Sequence, residues 1–193
     1  KIKSVENIYL KFGKMSRLIK KTILIPENVK VSINEKEIIF SGPLGELVLK
    51  RVPSIDVVIQ NNEIQIPKTS DSKQFKMMSG TMWALIKNAI SGVSSGFQKI
   101  LEIEGIGYRA EINGKNLTLY LGFSHPVNIP IPEDLKVKAE KNQILISGIN
   151  KELVGKFAAL IRGLKPPEPY KGKGIHYQGE YIRRKAGKKA GSS

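Results

Sequence analysis

The chain has 193 residues, with 32 Lys and Arg against 17 Asp and Glu, so its formal net charge is +15. This length fits one or two domains with their own cores, and a hydrophobic share of 40 % excludes a wholly disordered chain. The absence of cysteine excludes disulfides, a thiol nucleophile and Cys-based metal centres, and only two histidines are present, so we expect no metal and no cofactor. No apolar run approaches the roughly 18 residues of a membrane span.

The first predicted elements are strands. Val29, Val31 and Ile33 alternate with polar residues, which is the spacing of a half-buried strand. Further short β-branched runs, separated by Gly, Pro and Asn residues, lie at 37–41, 47–52, 55–60 and 63–66. From Phe75 to Ala89 the apolar residues are spaced by 3 and 4 positions, which predicts an amphipathic helix.

The helix is followed by Gly92–Gly96, whose sequence matches the G-x-S-x-G pattern of serine hydrolases. In those enzymes a strand precedes the nucleophile and a helix follows it, whereas here a helix is predicted before Ser94 and a strand after it. This order favours a linker that caps the helix. A hydrolase using Ser94 is therefore an unfavoured alternative, testable with Ser94→Ala, and we predict no enzymatic activity and no catalytic residue.

A second series of strands is predicted at 99–104, 108–112, 117–121, 127–131, 135–139 and 143–147. Asn113-Gly114, between two of them, is typical of a hairpin because both residues tolerate positive φ. Leu153, Phe157 and Leu164 then mark the apolar face of a second helix. The apolar periodicity stops after Lys165, so we expect the residues beyond it to add nothing to the core.

The two series are similar in sequence. At an offset of 106, ten of 23 residue pairs are identical, beginning with Ile25-Pro26-Glu27 and Ile131-Pro132-Glu133. The helices match at a shorter offset of 75, and the difference of 31 predicts an insertion in the first copy around Leu47–Lys76. We infer a duplication.

The predicted fold class is α+β, with two tandem duplicated domains, each a mainly antiparallel β-sheet packed against one helix, plus basic extended termini. The predicted bounds are 1–14 for an N-terminal extension, 15–96 for the first domain, 97–165 for the second domain and 166–193 for a basic C-terminal segment.

Positive charge is concentrated at both ends of the chain. The net charge is +6 over residues 1–22, +2 over 23–161 and +7 over 162–193. Such concentration indicates a polyanionic partner, either nucleic acid or an acidic membrane surface. The C-terminal segment has few large apolar residues, which disfavours a membrane anchor, so nucleic acid is the favoured partner and no membrane is expected.

The C-terminal segment combines charge with shape. Three prolines within Pro166–Pro169 exclude a helix and favour an extended polyproline-like path. The lysines and glycines of Lys171–Gly174 offer charge and close backbone approach to phosphates, and Tyr170 and Tyr177 offer rings that can stack on unpaired bases. A disordered solubilising tail would account for the lysines but not for the prolines and tyrosines.

Several motifs make the chain resemble the family of protein six of the large ribosomal subunit, in its bacterial and plastid form. The resemblance extends from Met15 to about Lys189. The motifs are Met15–Arg17, Gly42–Leu47, Gly105–Ala110, Gly122–Pro126, Arg183–Lys188 and, most specific of all, Pro166–Ile175 with the sequence PPEPYKGKGI.

The resemblance implies a non-catalytic constituent of the large ribosomal subunit with two similar α+β domains. It implies binding to large-subunit rRNA near the sarcin–ricin loop and the stalk base, beside neighbouring ribosomal proteins and the docking place of translational GTPases. The matching rRNA-binding positions are Tyr170, Lys171, Gly172, Lys173, Gly174, Arg183, Arg184, Lys185, Lys188 and Lys189.

The sequence departs from the family pattern at three places. His176 stands where the family often has Lys or Arg, so we expect a weaker RNA contact there at neutral pH. Trp83 replaces a residue that is often basic, and Lys1–Lys14 precede the usual start. The sequence of Gly122–Val127 resembles that of plastid and cyanobacterial members. We therefore expect the protein to belong to a ribosome of the plastid (chloroplast) stroma, with the bacterial cytoplasm as the alternative.

Overall fold

The computed structural model of the protein describes residues 21–140 and 142–187. Within it the chain divides between Gly96 and Phe97 into two compact units, called here the first unit and the second unit. Each unit contains antiparallel sheets and one long helix.

Over residues 21–96, the described part of the first unit, six strands are followed by a helix. The strands form two three-stranded antiparallel sheets, one with the order β2-β3-β4 and the other with the order β1-β6-β5. Asn61 and Asn62 connect β5 to β6 with φ of 47° and 65°, which is the conformation of a two-residue hairpin turn. The elements are β1 (Ile23–Leu24), β2 (Lys30–Ile33), β3 (Glu37–Gly42), β4 (Gly45–Lys50), β5 (Val58–Gln60), β6 (Glu63–Gln65) and α1 (Lys73–Ser94).

Helix α1 begins at a capping serine and buries one face. The Ser72 hydroxyl accepts a hydrogen bond of 3.1 Å from the Phe75 N–H and so satisfies one of the free amides of the first turn. The predicted apolar face is buried at Phe75, Met82, Ile86 and Ala89. The helix ends at Ser94, beyond the last periodic apolar residue, Ala89, and within the glycine-flanked segment Gly92–Gly96.

The second unit contains the same series of elements and one strand more. One sheet has the order β10-β9-β8, and the other has the order β11-β12-β7-β13. Helix α2 packs against β7, β12 and β13. The elements are β7 (Phe97–Glu104), β8 (Arg109–Asn113), β9 (Asn116–Tyr120), β10 (Val127–Pro130), β11 (Leu135–Glu140), β12 (Gln143–Gly148), α2 (Lys151–Leu164) and β13 (Gly174–Tyr177).

The predicted α+β class and the duplication are confirmed, with two sheets rather than one in each unit. When the strands are matched in chain order, β1 to β6 correspond to β7 to β12 and both sheet orders coincide, so the predicted insertion is wrong. The similarity at offset 106 pairs the first half of one unit with the second half of the other.

That crossed similarity has a structural reason. In both units the Ile-Pro-Glu segment carries the chain from one sheet to the other, and a hairpin comes next. The turns are alike, since the Val29 N–H donates to the Pro26 carbonyl and the Leu135 N–H donates to the Pro132 carbonyl, both at 3.0 Å. The sequence similarity at offset 106 therefore coincides with similar local structure in strands that are not equivalent in chain order.

Strand β13 corrects the prediction that the core ends at Lys165. It pairs antiparallel with β7, and Ile175 lies opposite Ile103 with its side chain fully buried in the core of the second unit. The sequence does not indicate that Ile175 is buried, because a strand of four residues has too few positions to show a periodicity. Phe157, at 6 % exposure, is buried as its helical spacing predicted.

Candidate nucleic-acid interface

The predicted rRNA-binding residues that the structure describes lie on the loop between α2 and β13, at the first residue of β13 and on the segment after β13. Lys188 and Lys189 lie outside the described residues. The other eight differ in exposure: Tyr170, Lys171, Arg183, Arg184 and Lys185 are exposed, Lys173 is half-buried, and Gly172 and Gly174 are buried.

Backbone hydrogen bonds close the loop on itself. The Glu168 N–H donates to the Lys173 carbonyl at 2.9 Å, and the Gly172 N–H donates to the Glu168 carbonyl at 3.2 Å. The prolines exclude a helix as predicted, but the chain turns sharply at 169–171 instead of continuing on an extended path. The lysines are thus presented from a closed turn.

The glycines of this loop meet requirements of the fold. Gly172 has a φ of +78°, and an added Cβ would lie 3.2 Å from the Arg184 guanidinium. Gly174 has a φ of +145°, and an added Cβ would lie 2.6 Å from the Pro166 carbonyl oxygen. Larger residues are therefore strained at both positions. Contact of these buried glycines with RNA stays a prediction.

The segment after β13 returns to the loop. The Lys185 N–H donates to the Pro169 carbonyl at 2.7 Å, and the Arg184 guanidinium lies beside Gly172. Two groups of cations that are ten or more residues apart in sequence therefore share one surface. We call it the basic loop surface, and it consists of Tyr170, Lys171, Lys173, Arg183, Arg184 and Lys185.

An ion pair fastens the returning segment to helix α2. Arg162, in the last turn of α2, donates hydrogen bonds from Nε (3.0 Å) and Nη2 to the Glu180 carboxylate, and the Tyr177 N–H donates to the same carboxylate at 3.0 Å. The Arg162 hydrogen bond, followed by that of the Tyr177 amide, lowers the pKa of Glu180, and the carboxylate raises the pKa of Arg162. Arg162 and Glu180 are 18 positions apart, with β13 between them, and no sequence pattern indicates a contact at such a distance. This ion pair was therefore not predicted.

The two tyrosines proposed for stacking differ in their surroundings. The Lys99 ammonium lies 5.5 Å from the Tyr177 ring centroid and the Arg162 guanidinium lies 5.7 Å from it. Tyr170 is 58 % exposed. Tyr170 is therefore the more accessible ring for a base, because Tyr177 is half-buried.

His176 lies inside the protein and not on the basic loop surface. It is 5 % exposed, and its Nδ1 lies 3.0 Å from the Tyr177 carbonyl oxygen. Its Nε2 lies 3.5 Å from the Glu104 carboxylate, and its Nδ1 lies 3.8 Å from the Glu102 carboxylate. The expected RNA contact at position 176 is therefore wrong, and the residue belongs to the packing of β13 against β7.

Trp83 and Ser94 each form a hydrogen bond with a backbone carbonyl of the first unit. The Trp83 indole N–H donates to the Lys21 carbonyl at 2.8 Å, and the Lys87 ammonium lies 5.4 Å from its ring centroid. Ser94 is the last residue of α1, and its hydroxyl lies 3.4 Å from the Ser91 carbonyl oxygen. The helix–serine–strand order therefore stands as predicted and lacks the strand–serine–helix arrangement of a hydrolase.

The described residues also bear on metal binding and on membrane insertion. Within 21–140 and 142–187, no group of three or more His, Cys, Asp or Glu side chains could hold a metal ion. Neither helix in this part of the chain is long and apolar enough to cross a membrane.

Comparison with known proteins relates this arrangement to one family. The model of the family described as ribosomal protein L6 matches residues 25–96 and 104–178, one match in each unit. The protein named large ribosomal subunit protein uL6 from Chlamydia pneumoniae is 48 % identical over 180 residues, which cover 91 % of this chain and 97 % of that protein. The protein of the same name from Listeria welshimeri is 46 % identical over 175 residues, covering 90 % and 98 %.

Proposed function

The chain belongs to the ribosomal protein L6 family, whose members are non-catalytic, and we propose that it is a structural constituent of the large ribosomal subunit that binds rRNA through the basic loop surface. One observation carries the mode of binding. The returning segment places Arg183, Arg184 and Lys185 beside the turn that bears Lys171 and Lys173.

The physical argument starts from charge. Five cations share the basic loop surface, while the nearby Glu180 is neutralised by Arg162 within the protein. Cations that bind phosphates release condensed counterions, which provides most of the affinity of such interfaces and makes it dependent on salt. The turn and the ion pair fix the loop before binding, so less conformational entropy is lost on docking.

The test uses two double variants with the same change in charge. Lys171→Ala with Lys173→Ala removes two cations of the basic loop surface, and Lys136→Ala with Lys138→Ala removes two from strand β11. Binding to a large-subunit rRNA transcript is measured by co-sedimentation across a salt series. We expect the first pair to lower the log–log salt slope by about 1.4 to 1.8 and the second to leave it unchanged. An unchanged slope in the first pair would contradict the proposal.

We also propose a position near the sarcin–ricin loop and the stalk base, beside neighbouring ribosomal proteins and the docking place of translational GTPases. The resemblance of Pro166–Ile175 and Arg183–Lys188 to the family motifs supports this position. The chain has no cysteine, so Gly187→Cys, at an exposed residue with open space around it, provides a unique tether for an iron chelate. We expect hydroxyl-radical cleavage of the rRNA at the sarcin–ricin loop, and cleavage confined to other helices would contradict this position.

The compartment is a separate proposal. The sequence of Gly122–Val127, which resembles plastid members of the family, supports the plastid stroma. The relatives named above come from bacteria and support the bacterial cytoplasm. Immunodetection of the chain in ribosomes from isolated plastids of the source cells would establish the first location. Its detection only in bacterial ribosomes would establish the second.

A further inference from the structure

Two loops of the second unit present apolar side chains to solvent. The loop between β7 and β8 carries Ile106, which is 90 % exposed, and the loop between β9 and β10 carries Phe123, which is 47 % exposed. Scattered exposed apolar residues are normal on a protein surface, so exposure alone does not make a site. Ile106 and Phe123 differ from such scattered residues because their loops are packed together and cations lie beside them.

The ring of Tyr108 joins the two loops. An added Cβ at Gly105 would lie 2.4 Å from this ring, and one at Gly122, where φ is +73°, would lie 3.1 Å from it. The Tyr108 N–H also donates to the Gly105 carbonyl at 3.3 Å and closes a turn around Ile106. Both loops are therefore packed tightly against one ring, and Ile106 is held outward at the tip of a closed turn.

The same loops adjoin the start of the basic loop. The Lys165 ammonium lies 4.9 Å from the Phe123 ring centroid, and the Lys165 carbonyl accepts a hydrogen bond of 2.7 Å from the Ile175 N–H. Glu104, the residue before Gly105, pairs with Gly174 in the sheet. Ile106, Phe123 and the basic loop thus lie at the same end of the second unit.

Cations stand beside the aromatic rings in this region. Besides Lys165 at Phe123, Arg109, which follows Tyr108 in the chain, places its guanidinium 3.9 Å from the centroid of the Tyr120 ring. The Arg109 Nε also donates to the Glu111 carboxylate at 2.9 Å, so Lys165 is the main cation of this region. Apolar and aromatic faces interleaved with cations suit unpaired nucleotides, which offer a base to stack and a phosphate to neutralise. Because Lys165 stands at the start of the basic loop, these cations continue its positive surface and favour RNA over an uncharged protein surface as the partner.

We propose that Ile106 and Phe123 form an apolar platform for unpaired bases of the same RNA whose phosphates contact the basic loop surface. This inference rests on the proposed function and extends it from charge to base stacking. The platform adds affinity that does not depend on salt, because stacking releases no counterions.

The first test measures affinity for the large-subunit rRNA transcript at several salt concentrations. We expect Ile106→Ser and Phe123→Ser each to weaken binding about 5- to 100-fold with an unchanged salt slope. The matched control is Leu160→Ser, which removes an apolar residue of 51 % exposure from α2 in the same unit and should leave the affinity unchanged. Ile106 is almost fully exposed, so its replacement does not endanger folding.

The second test observes stacking directly. Trp83 is the only tryptophan, so Phe123→Trp in a Trp83→Phe background places a single fluorophore at the platform, and Leu160→Trp in that background is the control. RNA should quench the fluorescence at position 123 and not at position 160.

Two failures can be told apart. The platform is wrong if the wild type binds RNA with a steep salt slope while the Ile106 and Phe123 variants bind equally well and position 123 is not quenched. If the wild type shows no salt-dependent binding, the proposed function itself fails.

Discussion

The two units share six strands, one helix and both sheet orders, yet the path of the chain after the helix differs between them. After α1 the chain passes Gly96, at a φ of +74°, and enters β7. After α2 it forms the basic loop, adds β13 to the edge of β7 and returns over the loop. The basic loop surface proposed for rRNA therefore belongs to the addition to the second copy and not to the duplicated elements.

The addition depends on features that the first unit lacks. Strand β1 has two residues, whereas its counterpart β7 has eight and offers a long edge to β13. The last turn of α1 has no basic residue, whereas that of α2 has Arg162, which binds Glu180. Three substitutions, with decreasing effects on stability, test this contrast.

The largest effect is expected from Phe157→Ala. Phe157 and Met82 are 75 positions apart and lie at equivalent places on the two helices, with exposures of 6 % and 1 %. Loss of the Phe157 ring should destabilise the second unit by about 3–5 kcal/mol and weaken rRNA binding at temperatures where that unit melts. Met82→Ala should destabilise the first unit by about 2–5 kcal/mol and leave rRNA binding intact. Calorimetry with parallel binding assays measures both, and loss of binding in the Met82 variant would break the contrast.

An intermediate effect is expected from Gly174→Ala. The added methyl group collides with the Pro166 backbone at a φ that L-residues rarely adopt, so we expect a loss of about 2–3 kcal/mol at constant charge. Gly187→Ala is the control, because that position has open space and no positive φ. Thermal unfolding compares the two variants, and equal melting temperatures would show that β13 is not seated as described.

The smallest effect on stability is expected from Glu180→Gln, at roughly 1–2 kcal/mol at neutral pH. The pKa of Glu180 is lowered in the folded protein relative to its ordinary value of 4.5, so its ionised form stabilises the fold above that pH. This contribution is lost as the pH falls through the lowered folded pKa. The stability difference between wild type and variant should therefore shrink in acid, as urea unfolding at pH 7 and pH 3 would reveal, and a constant difference would argue against the ion pair.

Much of this architecture was visible in the sequence, because periodicity reports long elements with one buried face. The helix face through Phe75 and Met82 was predicted on that basis. The hairpin at Gly114, with a φ of +61°, was predicted from turn chemistry, since Asn and Gly tolerate positive φ. Strand β13 was not, since its burial depends on the partner strand β7 and not on local pattern. The order of the repeats was misjudged because two Ile-Pro-Glu turns are alike at positions that are not equivalent.

The candidate site was foreseen as a set of cations but not as a surface. Composition identified the lysines and arginines, whereas the hydrogen bond from Lys185 to Pro169 that brings them together joins residues 16 positions apart in an irregular segment. The burial of His176 and of both loop glycines likewise depends on tertiary contacts. The sequence therefore shows which residues carry positive charge, but it does not show which of them come together on one surface.

The central claim is that rRNA affinity depends on where positive charge lies and not on its total. It is tested most directly by two triple variants of equal charge, one with Arg183, Arg184 and Lys185 changed to Ala and one with the exposed Lys30, Lys36 and Lys50 of the first unit changed to Ala. Binding of the large-subunit rRNA transcript is measured across a salt series. The account predicts that the first triple flattens the log–log salt slope by about 2 to 3 and the second leaves it nearly unchanged. Equal slopes in the two variants would contradict it.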